Sequence, residues 1–278
     1  MDKRPVDVVI ISDVHLGTYS CRAKELVAYL KSISPSLLIL NGDIIDGWQF
    51  SKRYFPTSHM SVIKEILNLM TTGTRVFYIT GNHDELLRRY ADFQLSNFTL
   101  TDKLVLEIDH KMTWIFHGDV FDNATKGSAK IFARLGSSGY EMLILFNRLI
   151  NFLLNLVGKE RVSISKKVMA GVNKAMSKIN DFETIAAELA IDKKYEYVIC
   201  GHVHRPQKRI VETPEGKVTY LNSGDWVEHL TSLEYYKNEW KIFTYDEKEF
   251  HHSVTSEASA PVTVITDEIS IHINSLAI

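Results

Sequence analysis

The sequence predicts an α/β fold in which two packed β-sheets are flanked by helices and interrupted by a helical insertion. Three observations carry this. Through the first third of the 278-residue chain, short β-branched and aliphatic runs alternate with helical patterns, the order of a mainly parallel sheet with crossover helices. Strand then follows strand with no helix between. A mostly helical stretch separates these from a last group of hairpins.

Taken in order, residues 6–11 read as a buried strand, 22–33 as a helix, 37–40 as a strand, 59–70 as a helix and 75–80 as a third strand. From 99 to 116 the pattern is strand after strand, with Asp109-His110-Lys111 at a turn. Strand character resumes at 195–200. It continues as hairpins over 207–221, turning at Pro214-Glu215-Gly216, and over 232–245, turning at Lys237-Asn238-Glu239. The domain expectation is one core from residues 1–120 and 191–250, a helical insertion or lid at 121–190, and a tail at 251–278 that is peripheral or disordered.

A hydrophobic content of 45% with 24% charged residues is that of an ordinary globular protein. A net charge of −2 gives no nucleic-acid electrostatics. Cys21 and Cys200, the only two cysteines, read as buried free thiols of a reducing compartment. The first apolar run is of strand length and no run approaches 18 apolar residues, so the expectation is a cytoplasmic protein without a spanning helix.

The insertion departs from this balance. Between 121 and 180 there are ten Lys or Arg against three Asp or Glu. Within it, 140–158 is strongly apolar, but Asn147, Asn151 and Asn155 recur every four residues with Arg148 beside them. Such a segment suits a polyanionic or acyl-bearing substrate, an anionic membrane surface or a dimer face; the plain alternative is a helix packed on its own domain.

Five short blocks carry chemistry, each just after an expected strand: Asp13-Val14-His15, Asn41-Gly42-Asp43-Ile44-Ile45-Asp46, Gly81-Asn82-His83-Asp84, His117-Gly118-Asp119 and Gly201-His202-Val203-His204. Strand ends are where open α/β sheets build their sites. Asp, Asn and His suit Mn, Fe, Zn, Co or Ni, and an x-spaced pair in extended chain points both side chains one way. A lone strand-end His is usually a hydrogen-bonded core or surface residue. Five of the eleven histidines fall in these blocks, and that concentration points to a two-metal hydrolytic centre. Asp84 and Asp119 read better as turn or cap residues.

The order of these blocks, from Asp13 to His204, resembles the calcineurin-like metallophosphoesterase superfamily. The resemblance implies two divalent ions, Mn first among the candidates. It implies Asp13, His15 and His204 as ligands of one ion, Asn82, His117 and His202 as ligands of the other, and Asp43 as the bridge. It gives His83 the task of stabilising the transferring phosphoryl group or protonating the leaving oxygen, and Asp46 that of orienting His83.

The chain also resembles a narrower branch, the UDP-2,3-diacylglucosamine hydrolases and close relatives, through Ile11-Ser12-Asp13-Val14-His15-Leu16-Gly17, the insertion, residues 161–183, and Asn222-Ser223-Gly224-Asp225-Trp226-Val227-Glu228. That branch implies cleavage of a UDP-sugar lipid to UMP and a lipid monophosphate in lipid A synthesis, by an enzyme peripheral to the inner membrane face. Some relatives are nucleases and the basic segment allows nucleic-acid processing, but no aromatic-basic interleaving or nucleic-acid motif supports such a partner, and the oligomeric state stays open. The chain departs from it at His83, where well-known members carry Arg; imidazole and guanidinium are not equivalent at a phosphate. The alternatives are a metallophosphoesterase acting on another phosphodiester, a nucleotide or a phosphoprotein, and a non-catalytic scaffold of the same fold.

Overall fold

The computed structural model describes residues 3–48, 54–121 and 173–248, with side chains from 182 onward in the helix that opens the last stretch. The chain divides into a unit spanning Met1–Tyr245 and a second spanning Asp246–Ile278; of the second, only residues 246–248 are described. The expected tail and most of the expected insertion lie outside the described residues.

Among the described residues, twelve strands form two mixed sheets. The first has seven strands in the order β12-β11-β1-β2-β3-β5-β4. Its centre is β1 (Arg4–Ile11), β2 (Ile33–Asn41), β3 (Arg75–Ile79) and β5 (Phe98–Thr101), all parallel. β4 (Gln94–Leu95) pairs antiparallel at one edge. β11 (Thr231–Tyr236) and β12 (Glu239–Thr244) form an antiparallel hairpin at the other. The second sheet has the order β6-β7-β8-β10-β9: β6 (Lys103–Ile108), β7 (Lys111–Phe116), β8 (Tyr197–Cys200), β9 (Gln207–Thr213) and β10 (Gly216–Asn222). In it β7, β8 and β10 are parallel neighbours.

Side-chain alternation explains the packing. Val8 and Ile10 of β1, Ile39 of β2 and Ile79 of β3 meet Ile115, Ile199 and Leu221 from the other sheet in one buried cluster. The intervening Val9, Ile11, Leu38 and Leu40 are buried too, so the parallel strands read as unbroken apolar runs, as in a sheet covered on both faces. α1 (Ala23–Ser32) packs on β2 and against α2 (Thr57–Thr71). α3 (Asn173–Asp192) packs on the second sheet, its Phe182, Ala186, Ala187, Ala190 and Ile191 against Phe116, Val198, Cys200, Val218 and Tyr220. The last part of the segment expected as an insertion is thus a layer of the core, because small residues recurring on one helix face let it lie close to the strands.

The expected elements fall where the residues put them, with two differences. β2 begins at Ile33, four residues earlier than expected, because Pro35 disfavours helix at the residue before it and the segment pairs with Arg4–Val6 of β1. The short edge strand β4 carries no apolar alternation and was not expected. The turns behave as their residues dictate. Asp109-His110 and Lys237-Asn238 all have positive φ, the backbone of tight two-residue hairpins. Cys21 and Cys200 are buried and not disulfide-bonded.

Candidate metal centre

Parallel pairing decides where the five blocks go. β1, β2 and β3 run the same way in adjacent positions, so their carboxyl ends lie along one rim and deliver Asp13, Asp43 and Asn82 side by side. β7, β8 and β10 do the same on the facing sheet, delivering His117, His202 and the loop after Asn222. The rims are stitched together: His117 Nδ1 bonds the Asn41 carbonyl at 2.9 Å, Asn41 Nδ2 donates to the Phe116 carbonyl at 3.2 Å, and Ser12 Oγ lies 2.7 Å from Ser223 Oγ.

The blocks converge. Asp13, His15 and His204 offer ligand atoms within 4.8 Å of one another, and so do Asp43, His117 and His202. A third group, His15, Asp43 and His83, shares members with both and joins them. Asn82 follows directly in the Gly81–Asp84 turn, with its side-chain oxygen buried and without a hydrogen bond.

The backbone there is held in an uncommon conformation. Asp13, His15, Asp43, His202 and His204 all have φ between 51° and 66°, the left-handed region that costs non-glycine residues energy and recurs at functional sites. Gly42 shows how close the two rims come. Its φ is +79°, and a Cβ there would stand 2.3 Å from His117 Nδ1.

Hydrogen bonds divide each carboxylate into a held and a free oxygen. Asp43 Oδ1 accepts the His83 backbone N–H at 2.8 Å, leaving Oδ2 at 3.3 Å from His117 Nε2 and 4.0 Å from His83 Nε2. Asp13 Oδ2 accepts from Ser12 Oγ and from the His202 N–H, leaving Oδ1 at 3.2 Å from His204 Nε2. His117 is held through Nδ1, so with its proton there Nε2 faces the carboxylates as a lone pair. His15 Nε2 and His204 Nε2 face each other at 3.4 Å, and a cation between them would take a lone pair from each ring.

The donor set therefore fits divalent ions. Asp13 Oδ1, Asn82 Oδ1 and His117 Nε2 are buried and lack hydrogen bonds, and each belongs to a residue of the expected ligand set. Buried polar atoms without partners are rare and ask for a cause. Electrostatics agree. Burial disfavours charged imidazole, yet Asp43 pushes His117 up to about 10 and Asp13 pushes His204 up to about 9. Burial also works against charge on Asp13 and Asp43, but the imidazoles around them hold both carboxyls below their ordinary range. The cluster calls for positive charge at its middle.

The remaining expected residues separate by role. Asp46 Oδ2 lies 2.8 Å from His83 Nδ1 and 3.1 Å from His15 Nδ1, so one carboxylate faces both rings. Burial opposes a charged His83, but Asp46 and Asp43 outweigh it and raise its pKa. Trp48, 65% exposed, lies against His83 with ring centroids 4.3 Å apart.

Asp84 has the structural part expected of it. It accepts the Ile44 N–H at 3.0 Å, the Gly81 N–H, and the Tyr78 hydroxyl at 2.6 Å. Asp84→Ala leaves three buried donors without it, so denaturant unfolding is expected to lose about 3 kcal/mol or more; a loss under about 1 kcal/mol would refute the clamp. Asp119 pairs with Arg88 at 2.8 Å. Sequence reasoning missed Asp225, buried beside His204, although its signal, Gly-Asp after a strand, is that of Gly42-Asp43.

Comparison with known proteins follows this geometry. Residues 6–206 match the model of the Calcineurin-like phosphoesterase family. A UDP-2,3-diacylglucosamine hydrolase of Xanthomonas campestris pv. campestris (strain B100) is 26% identical over 238 residues, covering 79% of this chain and 91% of its own. Another, of Aliivibrio fischeri (strain MJ11), is 23% identical over 247 residues, covering 87% and 99%. Among solved structures, an archaeal phosphodiesterase aligns with a TM-score of 0.40 at 15% identity, covering 85% of this chain and 98% of its own. No helix among the described residues is long and apolar enough to cross a membrane. The chain belongs to the calcineurin-like phosphoesterase family and is a metal-dependent phosphoester hydrolase.

Proposed function

We propose that the protein hydrolyses the pyrophosphate of a nucleotide-sugar lipid such as UDP-2,3-diacylglucosamine, releasing UMP and a lipid monophosphate. The observation that carries the proposal is the convergence of the expected ligands where the two rims meet, with Asp13 Oδ1, Asn82 Oδ1 and His117 Nε2 buried and without hydrogen bonds. The substrate is supported by relatives of that name aligned over 79–87% of the chain.

In this reading Asp13, His15 and His204 hold one divalent ion, Asn82, His117 and His202 hold the other, and Asp43 serves both. Bound ions supply Lewis acidity, which makes water a nucleophile near neutral pH and takes up charge developing on phosphoryl oxygens. The protein's own residues do the rest. His83, turned by Asp46, faces the reacting centre and holds a proton for the leaving oxygen or a hydrogen bond for the phosphoryl group. His117, fixed by the Asn41 carbonyl, keeps its free nitrogen toward the site. We assign Mn as the working metal, with Fe, Zn, Co or Ni able to satisfy the same donors. The basic, apolar segment 121–180 takes the acyl part of the substrate or an anionic membrane surface, which makes the enzyme peripheral to the membrane.

The test is UMP release from UDP-2,3-diacylglucosamine in detergent with Mn²⁺, beside hydrolysis of bis-p-nitrophenyl phosphate. Metal-dependent UMP release that disappears in His117→Ala is the expected result. Hydrolysis of the generic ester without UMP release would overturn the substrate and leave the two-metal reaction.

A further inference from the structure

Resting on that reading, we infer that Asp225 is a positioning residue of the metal centre: acting through His204, it sets the affinity of the ion on the Asp13 side. Asp225 sits in the loop after β10, fully buried. The loop forms the back wall of that half of the site. The Trp226 N–H donates to the Asp13 carbonyl at 3.1 Å, and Ser12 Oγ reaches the Gly224 carbonyl at 3.1 Å.

The two oxygens of Asp225 have different surroundings. Oδ1 accepts three successive backbone N–H groups, from Val227 at 2.8 Å, Glu228, and His229 at 3.0 Å. That work organises the turn, and an asparagine oxygen would do it equally well. Oδ2 has no part in it. It lies 2.7 Å from His229 Nδ1 and 3.7 Å from His204 Nδ1. The negative charge and the second oxygen therefore act on imidazoles. A buried carboxylate used only to hold a turn would carry a desolvation cost for nothing.

His204 consequently lies between two carboxylates. Its Nε2 faces Asp13 Oδ1 at 3.2 Å and its Nδ1 faces Asp225. At 3.7 Å Asp225 makes no hydrogen bond to His204, but its negative charge behind the ring favours the proton on the far nitrogen and raises the basicity of the near nitrogen. His117 receives the neutral version of this support from the Asn41 carbonyl, at 2.9 Å. The two halves of the centre thus differ: a charged group backs His204, and a backbone carbonyl backs His117.

The experiment is calorimetric titration of the metal-free protein with Mn²⁺, comparing wild type with Asp225→Asn and His229→Gln. Asparagine keeps the acceptor for the three N–H groups and removes the charge. The expected result is a folded protein in which one of the two ions binds about 10- to 100-fold more weakly while the other is unchanged. His229→Gln, which removes the other partner of Oδ2 at a partly exposed position, is expected to bind both ions as tightly as wild type or more so. Unchanged affinity for both ions in Asp225→Asn would overturn the inference, and so would equal weakening of both. If Asp225→Asn does not fold, His229→Gln decides: weaker binding there would mean that the Asp225–His229 pair holds the loop and nothing more. Absence of Mn²⁺ binding in the wild type would instead overturn the two-metal reading itself.

Discussion

Asp43→Asn is expected to lower kcat by about 10³-fold or more and to reduce the bound metal below two ions per chain, while the protein remains folded. The substitution keeps what is structural about Asp43. An asparagine oxygen still accepts the His83 N–H now held at 2.8 Å. It replaces Oδ2, the oxygen lying between His117 and His83, with an uncharged donor facing His117 Nε2. Asp43 appears in both groups that share the His83 side and the His117 side of the centre, so its loss falls on both ions where loss of Asp13 or His117 falls on one. Metal content by elemental analysis and initial rates in Mn²⁺ check this together. Two retained ions with a wild-type rate would refute the bridging role.

His83→Ala is expected to lower kcat on a pyrophosphate substrate by about 10²- to 10⁴-fold and to leave the metal content unchanged. His83 is turned by Asp46 through Nδ1, and its Nε2 stands 4.0 Å from Asp43 Oδ2, at the edge of the Asp and His cluster. A group that protonates the leaving oxygen matters most when that oxygen is basic. On bis-p-nitrophenyl phosphate, whose leaving phenolate needs no proton, the loss is expected to be much smaller. Equal losses on both substrates would select stabilisation of the phosphoryl group instead. Unchanged rates on both would remove His83 from the reaction.

The two predictions draw on different levels of the molecule. That Asp13, His15, Asp43, Asn82, His117, His202 and His204 belong together was legible in the chain, because each follows an apolar run and only strand ends of one sheet system make such blocks neighbours. That Asp84 is a clamp was legible as a turn preference, but its three partners come from both sides of the first rim. Asp225 was legible as a Gly-Asp after a strand, within the run 222–228 that carries the branch resemblance, but with no role assigned to it. Its nearness to His204 depends on β10 lying beside β8, a parallel pairing between strands 19 residues apart at their starts that local pattern does not encode. Likewise, the pattern of 121–190 predicted helix, but only the packing of Phe182, Ala186, Ala187, Ala190 and Ile191 on the second sheet puts α3 in the core.

By itself the sequence determined the alternation of strands and helices, the turns and the five blocks that hold the candidate ligands, because periodicity and residue chemistry are local properties. Tertiary structure alone decided which oxygen of each carboxylate is free, which nitrogen of His117 faces the centre, that one Asp46 oxygen serves both His15 and His83, and that His204 lies between Asp13 and Asp225. Those facts arise where two rims of parallel strand ends meet. There the orientation of each side chain is set by a hydrogen-bond partner far away in the chain.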